Sequence, residues 1–254
     1  MLTRIDLNSD LGERDTPEGR AIDAEMMPLI TSVNIACGGH AGTLDLMRRT
    51  AQLAAQHGVA IGAHPGLPDR EHFGRRERSV ASEEITALVI SQIEMLADVL
   101  ARDNLVLAHV KPHGALYNMA ASSPEVARAI VHAVQAVDRT FLLYALAGSE
   151  LVKTARASGL TVVQEAFADR AYRADGTLVP RSAQGAVLQK ELDIRRRLRH
   201  LMMGAVESID GASVPIYADT LCLHADTPHA VPLARMIRRE LESAGVRLAA
   251  VCHE

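Results

Sequence analysis

The chain has 254 residues, of which 48% are hydrophobic and 23% are charged, and its formal net charge is −4. A chain of this length buries a sizeable core, and α/β barrels of this size often form one domain, so we expect a single domain over residues 1–254. The slightly acidic balance gives no indication of a nucleic-acid partner. The absence of tryptophan argues against aromatic platforms for sugars or bases.

The cysteines and the first residues indicate the compartment. Cys37, Cys222 and Cys252 form no CxxC pair, and an odd count without paired spacing is typical of a reducing compartment. The first residues, MLTRIDLNSD, lack the apolar segment of a secretory signal. No stretch approaches the roughly 18 consecutive apolar residues of a membrane span. We therefore expect a cytoplasmic protein that does not bind membranes.

Short apolar segments alternate with helical patterns along the chain. The predicted strands are residues 4–7, 31–35, 59–63, 105–108, 141–145, 160–164 and 221–223, with 214–217 and 246–251 as further candidates. The predicted helices are residues 44–57, a helix capped by Ser82, a helix beginning at Ser123-Pro124-Glu125, part of 185–209, and 233–243. The basic run at 195–200 is interpreted as a solvated helix face. The alternation predicts an α/β fold with a largely parallel sheet.

Polar side chains follow most of the predicted strands. In parallel α/β folds the loops at the carboxyl ends of the strands converge, and ligands bind there. The residues concerned, in chain order, are Asp6, Asn8, Asp10, Asn34, His40, His64, Asp69, Arg70, His109, Lys111, His113, Glu165, Asp169, Arg170, Arg173, His224 and Asp226. We expect many of them to meet in one cavity at a single rim.

The stretch HVKPHGALYN, residues 109–118, follows a predicted strand directly. A residue before proline favours extended backbone, so Lys111 should continue the strand. His109 and Lys111 should then face one side, with His113 as a third candidate. Lysine supplies a positive point charge there, and histidine exchanges protons near neutral pH. For His109 alone, a hydrogen-bonded core histidine is an equally good interpretation.

The segment at residues 62–78 has no periodicity, and loops of this length are usually functional or mobile. Arg75 and Arg76 could clamp a carboxylate or phosphate. The alternative is that both are exposed and pair with Asp69 or Glu71.

The stretch CGGHAGT, at residues 37–43, precedes a predicted helix whose free N–H groups could receive an anion. The chain has no GxxxxGK[ST] phosphate loop, no GxGxxG and no HExxH. Cys37 and His40 could form a thiolate and its base, although a small buried cysteine is the commoner case. Asp6 or Asp10 with His40 and His64 could bind a divalent metal.

Six motifs together resemble the LamB/YcsF family. They are DLNSDLGE (6–13), NIACGGHAG (34–42), AHPGLPDREHFGRR (63–76), HVKPHGALYN (109–118), EAFADRAYRADGTLVPR (165–181) and CLHADTP (222–228). The resemblance implies a (β/α) barrel of about seven strands, related to glycoside hydrolase and deacetylase barrels. It implies the A subunit of an ATP-dependent 5-oxoprolinase, which converts 5-oxoproline to L-glutamate with ATP hydrolysis and with B and C subunits. Gly39 replaces the family's usual phenylalanine, and Thr43 a frequent aspartate.

Lactam opening needs a base for water, an acid for the ring nitrogen, positive charge for the developing oxyanion, and a clamp for the substrate carboxylate. We expect Asp10 or Glu165 to be the base and His64 or His113 the acid. Lys111 would stabilise negative charge, and Arg75 or Arg173 would hold the carboxylate. Substrate contacts are also expected from Asn8, His40, Asp169 and His224.

Two other classes of function stay open on the sequence. One is a metal-dependent deacetylase or amidase that acts alone, and the other is a non-catalytic subunit that only binds the substrate. We assign no metal ligands and expect ATP to be the cofactor, bound with partner subunits.

Overall fold

The computed structural model describes residues 2–181, 183–227 and 229–252. The strands within these residues are β1 (Arg4–Leu11), β2 (Ser32–Ala36), β3 (Ala60–His64), β4 (Leu107–Val110), β5 (Leu142–Leu146), β6 (Val162–Phe167), β7 (Ala205–Glu207), β8 (Ser213–Pro215), β9 (Thr220–His224) and β10 (Arg247–Leu248). The α-helices are α1 (Pro17–Met26), α2 (Leu44–His57), α3 (Ser82–Ala101), α4 (Gly114–Ser122), α5 (Pro124–Val137), α6 (Glu150–Ala157), α7 (Glu191–Met202) and α8 (Ala230–Ser243). A 3₁₀ turn covers Met27–Leu29.

Seven parallel strands close into a barrel in the order β1-β2-β3-β4-β5-β6-β9. The barrel closes because β9 pairs with both β6 and β1, with Asp10 opposite His224 at the carboxyl end of the last pair. Short β10 adds to β1, and β7 and β8 form a separate antiparallel hairpin. This arrangement confirms the predicted (β/α) barrel of about seven strands, which follow the chain order of the seven predicted strands.

Strand β1 runs four residues beyond its predicted end at Leu7. Alternation along the strand directs Asp6, Asn8 and Asp10 into the barrel, while Ile5 and Leu7 join the apolar core outside it. The polar residues do not end the strand because partners on other strands satisfy them inside the lumen. The same effect explains why β4 continues through His109 and β6 through Glu165.

Asp6 closes the amino-terminal end of the lumen. Its carboxylate accepts hydrogen bonds from the hydroxyls of Thr31, Ser32, Tyr144 and Thr220. Burial raises the pKa of Asp6, and these hydroxyls act against that shift. Asp6 is therefore a structural group of the barrel floor, and the interpretation of Asp6 as a metal ligand with His40 and His64 is wrong.

Helix starts match the expected caps only in part. The Ser123 side chain accepts a hydrogen bond from the amide of Val126 and caps α5, as predicted. Helix α3 begins at Ser82 itself, with Ala81 as the cap, because the Ser82 hydroxyl donates to Glu125 instead; the predicted Ser82 cap is wrong. Helices α1, α4 and α6 were not predicted from the pattern. Within the described residues, no helix has the length and apolarity to span a membrane.

Candidate functional site

A cavity of about 920 Å³ opens at the carboxyl ends of the barrel strands. Four of the five predicted catalytic residues line it: Asp10, His64, Lys111 and His113. Three of the six predicted substrate contacts also line it: Arg75, Arg173 and His224. The structure thus brings together residues from β1, β3 and β9 with residues from the loops that follow β3, β4 and β6.

The other four predicted site residues lie behind the cavity wall. Glu165, Asn8, His40 and Asp169 are at most 2% exposed and do not line the cavity. Each of them contacts a residue that lines it. These four residues therefore support the cavity wall from behind.

The ammonium group of Lys111 lies at the centre of the floor, and the residue is 2% exposed. Its Nζ is 2.8 Å from Oε1 of Glu165, 3.0 Å from Oδ1 of Asp10 and 3.0 Å from Oδ1 of Asn8. The Sγ atom of Cys222 is 3.1 Å away. Two carboxylates, an amide oxygen and a thiol therefore surround a single buried cation.

The charged groups around Lys111 shift one another's pKa values. Burial alone would lower the pKa of Lys111, but Asp10, Cys222 and Glu165 outweigh it and hold that pKa well above its usual value. Burial likewise works to raise the pKa of Asp10, but His64 and Lys111 pull it well below its usual value. Lys111 is thus charged and Asp10 ionised at neutral pH.

A chain of amides orients the floor. The two hydrogens of Asn34 Nδ2 go to Asn8 Oδ1 and Asp10 Oδ1, each at 2.8 Å. Asn34 Oδ1 accepts from Nε2 of His109, also at 2.8 Å. Asn8 in turn donates to Glu165 Oε1 and to the hydroxyl of Thr220. The amides fix which oxygen of Asp10 and which oxygen of Glu165 faces Lys111.

His109 belongs to this supporting chain and does not line the cavity. Its ring stacks on Tyr144 with centroids 4.2 Å apart, and burial lowers its pKa to about 3. The interpretation as a neutral, hydrogen-bonded core histidine is the one that the structure supports.

Three histidines and Glu13 form a second cluster beside Asp10. His64 Nε2 lies 3.3 Å from Oδ2 of Asp10 and 2.9 Å from Nδ1 of His113. The ring of His40 stacks on that of His113 at 3.6 Å, and its Nε2 lies 3.2 Å from Oε1 of Glu13. Burial lowers the pKa values of His40 and His113 well below the usual value, while burial and Asp10 raise that of Glu13.

Arginines form the rim of the cavity. Arg75 and Arg181 both pair with Asp226, and with burial opposing them they lower the pKa of that carboxyl. The proposed alternative pairing of Arg75 with Asp69 or Glu71 is thus wrong. Arg173 lines the cavity, is exposed, and forms no ion pair with any described residue. Of the two predicted carboxylate clamps, Arg173 has the free guanidinium.

His224 and Asp169 pair with each other at this rim. Nδ1 of His224 lies 2.9 Å from Oδ2 of Asp169, and the His224 ring stacks on Phe167. The pKa of Asp169 is lowered, because His224, Arg181 and Arg170 together outweigh burial. Asp169 therefore holds the His224 ring in place, and His224 presents its other edge to the cavity.

The CGGHAGT loop has a structural role. Cys37 Sγ donates to the carbonyl of Ile35, and burial raises the pKa of the thiol to about 12, so the thiolate interpretation with His40 is wrong. The Thr43 side chain accepts from the amide of Leu46 at the start of α2. This cap satisfies one of the N–H groups on which the anion-site interpretation depended.

The atoms around Gly39 leave no space for a side chain. A Cβ at this position would lie 2.5 Å from Oε1 of Gln92 and 2.5 Å from the carbonyl of Gly66. Gln92 itself accepts from the Gly66 amide and donates to the Gly66 carbonyl. The Gln92 side chain therefore holds the loop that carries Gly66, and it leaves room only for glycine at position 39.

Sequence reasoning did not single out Glu13 and Tyr117 as site residues, although both line the cavity. Glu13 and Tyr117 belong to the motifs DLNSDLGE and HVKPHGALYN, which was the available signal. The Tyr117 hydroxyl is buried without a hydrogen-bond partner among the described residues, and burial and Glu165 raise its pKa. It is therefore a protonated donor at neutral pH.

The LamB/YcsF family model matches residues 5–254 of this chain. A protein of Heliobacterium modesticaldum, named as the A subunit of 5-oxoprolinase, is 51% identical over 248 residues, which cover 97% of this chain and 98% of the relative. The Bacillus subtilis protein of that name is 44% identical over 252 residues, which cover 99% of this chain and 98% of the relative.

Among solved structures, the lactam utilization protein from Thermus thermophilus superposes on this chain with a TM-score of 0.90 at 44% identity. The superposition covers 98% of this chain and 100% of that one. The similarity therefore extends over the barrel and the loops that form the cavity.

Proposed function

We propose that this chain, which belongs to the LamB/YcsF family, is the A subunit of a 5-oxoprolinase that opens the lactam of 5-oxo-L-proline to L-glutamate. The observation that carries the proposal is the floor of the cavity, where Lys111 lies between Asp10 and Glu165 and beneath a rim of arginines. Such a floor offers positive charge, a base and room for an anionic substrate in one place.

The lactam ring is an unstrained amide, so the reaction needs a better electrophile. Transfer of the terminal phosphoryl group of ATP to the carbonyl oxygen would supply it. Water then adds to the ring carbon, the C–N bond breaks with its electron pair on nitrogen, and nitrogen takes a proton. A second water molecule then displaces inorganic phosphate from the resulting acyl phosphate and leaves the side-chain carboxylate of glutamate. The site must therefore stabilise negative charge on oxygen and move two protons.

The positions of the side chains support one assignment of catalytic roles among the candidate residues. Asp10 is the base, because it is ionised and lines the cavity whereas Glu165 is shielded by Lys111. Lys111 stabilises the charge that develops on the carbonyl oxygen or the phosphoryl group. Arg173 holds the substrate carboxylate, since Arg75 is engaged by Asp226. His64 or His113 supplies the proton to the ring nitrogen.

ATP use belongs, in this proposal, to the assembled complex with B and C subunits. The chain carries no GxxxxGK[ST] loop of its own. The cytoplasmic location stays a prediction, which rests on the unpaired cysteines.

Glutamate release from 5-oxoproline and ATP tests the proposal, with this chain assayed alone, with its candidate B and C partners, and with the partners alone. We expect turnover only when this chain, both partner subunits and ATP are present together. Equal turnover by the partners alone would refute a catalytic contribution of this chain. Turnover by this chain alone without ATP would favour the metal-dependent amidase instead.

A further inference from the structure

Two imidazole nitrogens in the site direct their lone pairs at each other. Nδ1 of His64 lies 2.7 Å from the carbonyl oxygen of Lys111, and Nε2 of His113 lies 2.8 Å from that of Phe73. A carbonyl oxygen only accepts, so these two nitrogens carry the hydrogens of the neutral rings. The remaining nitrogens, His64 Nε2 and His113 Nδ1, are both acceptors and lie 2.9 Å apart. Either a shared proton or a metal ion must therefore lie between these two nitrogens.

Two carboxylate oxygens also lie close to these two nitrogens. Oε1 of Glu13 lies 3.8 Å from His113 Nδ1, and Oδ2 of Asp10 lies 3.3 Å from His64 Nε2. The ligand atoms of Glu13, His40, His64 and His113 all fall within 4.8 Å of one another. The three histidines are at most 5% exposed, so bulk water does not solvate this group of hydrogen-bond acceptors.

We propose that His64 Nε2, His113 Nδ1 and Glu13 Oε1 bind a divalent transition-metal ion, with Zn²⁺ the best match. Two imidazoles and one carboxylate are a common zinc ligand set in catalytic sites, whereas Mg²⁺ and Ca²⁺ prefer oxygen ligands alone. Each imidazole already donates the N–H of its other ring nitrogen to a backbone carbonyl, as metal-bound histidines do. His40 donates to Glu13 and positions that carboxylate.

The distances need only small adjustments for this ion. Zn–N bonds of about 2.0–2.1 Å place two tetrahedral ligands about 3.3 Å apart, so the imidazoles must separate by about 0.4 Å. Glu13 must approach by a similar amount. The cavity beside the cluster gives these side chains room to move.

All three ligands line the cavity, so a fourth coordination position faces the substrate. A water molecule there would be acidified by the ion. Asp10 would accept its proton and pass it to the ring nitrogen, and His64 and His113 would then be ligands rather than proton donors. This catalytic part rests on the proposed function, whereas binding of the ion does not.

Metal analysis of the purified full-length chain tests the site. The protein is stripped with a chelator, dialysed against buffer containing Zn²⁺, and its zinc content and affinity are measured by mass spectrometry and calorimetry. We expect about one zinc per chain. His64→Asn and His113→Gln should each weaken binding at least about 100-fold, more than typical losses of outer-sphere partners. His132→Gln, at an exposed position on α5, is the matched control and should bind as the wild type does.

Absence of bound zinc in the wild type would overturn the site. Equal zinc binding by all three variants would also overturn it, and would show an adventitious ion only. Co²⁺ added to the unaltered chain gives a readout that needs no variant. Intense visible bands of a four- or five-coordinate ion would support the site, and the weak bands of six-coordinate Co²⁺ would overturn it. Equal glutamate release by stripped and zinc-loaded complexes would overturn the catalytic part while the proposed function stands.

Discussion

Lys111 Nζ and Glu165 Oε1 lie 2.8 Å apart at the floor of the barrel, and both side chains are at most 3% exposed. A buried pair of this kind contributes little net stability when intact, because desolvation offsets the attraction. Removing one partner leaves a buried, uncompensated charge, and that loss is large. The pair therefore makes Lys111 important for stability as well as for the proposed chemistry.

Lys111→Met should lower the free energy of unfolding by about 3–5 kcal/mol, because Asp10 and Glu165 lose their cation. It should also abolish glutamate release in the assembled complex. Denaturant titration and the activity assay measure the two effects. Lys153→Met, which removes an exposed ion pair with Glu150, is the control and should change stability by less than about 1 kcal/mol. A folded Lys111→Met chain with full activity would remove Lys111 from the scheme.

Arg173→Ala should raise the KM for 5-oxoproline by about 10- to 100-fold, because a charged hydrogen bond to the substrate carboxylate contributes about 1.5–3 kcal/mol. The kcat should fall less, since the arginine contacts the carboxylate rather than the reacting carbonyl. Steady-state kinetics of the complex measure both constants. Arg128→Ala, on the exposed face of α5, serves as the control. An unchanged KM would exclude Arg173 as the clamp.

Tyr117→Phe should leave stability unchanged or slightly improved, because the hydroxyl is buried without a partner among the described residues. If the hydroxyl donates to the substrate, kcat/KM should fall at least about 10-fold. Thermal melting and kinetics separate the two effects. Tyr217→Phe, at an exposed ring, is the matched control. Activity equal to that of the wild type would limit Tyr117 to packing.

The pH dependence of stability should carry a signature of Asp23. Burial raises its pKa to about 6, and the amide of Gly12 donates to its carboxylate. Between about pH 4 and pH 6 the folded state binds the proton and the unfolded state releases it, so stability falls as pH rises through this window. The loss reaches up to about 3 kcal/mol. Denaturant midpoints from pH 4 to 7 should show this fall in the wild type and not in Asp23→Asn; parallel curves would contradict it.

Gly39→Phe should destabilise the chain by more than about 2 kcal/mol, because its Cβ meets Gln92 and the Gly66 carbonyl. Adding Gln92→Ala should recover part of this loss, since it removes one clash and frees the Gly66 loop to shift. A double-mutant cycle on unfolding free energies measures the coupling, expected to exceed about 0.5 kcal/mol. Additive losses would show that Gln92 does not determine the residue at position 39.

The boundaries of the strands show where sequence patterns failed. The ends of β1, β4 and β6 were placed too early, because Asn8, His109 and Glu165 resemble loop residues in a local pattern. Their side chains face a lumen in which other strands supply partners. The existence of the seven barrel strands was predictable, since each carries the apolar side chains that pack against the helices.

The amino-acid sequence alone determined the alternation of strands and helices, the largely parallel sheet, and the rim at which polar groups collect, because these follow from local periodicity and chain direction. The closed barrel of about seven strands was expected only from the resemblance to the LamB/YcsF family. The tertiary structure decided which of those groups reach the cavity and which support them from behind. It placed Lys111 between Asp10 and Glu165, freed Arg173 while engaging Arg75, and turned two histidine lone pairs toward each other. Hydrogen bonds across the lumen join residues distant in the chain, and no local pattern encodes such partners.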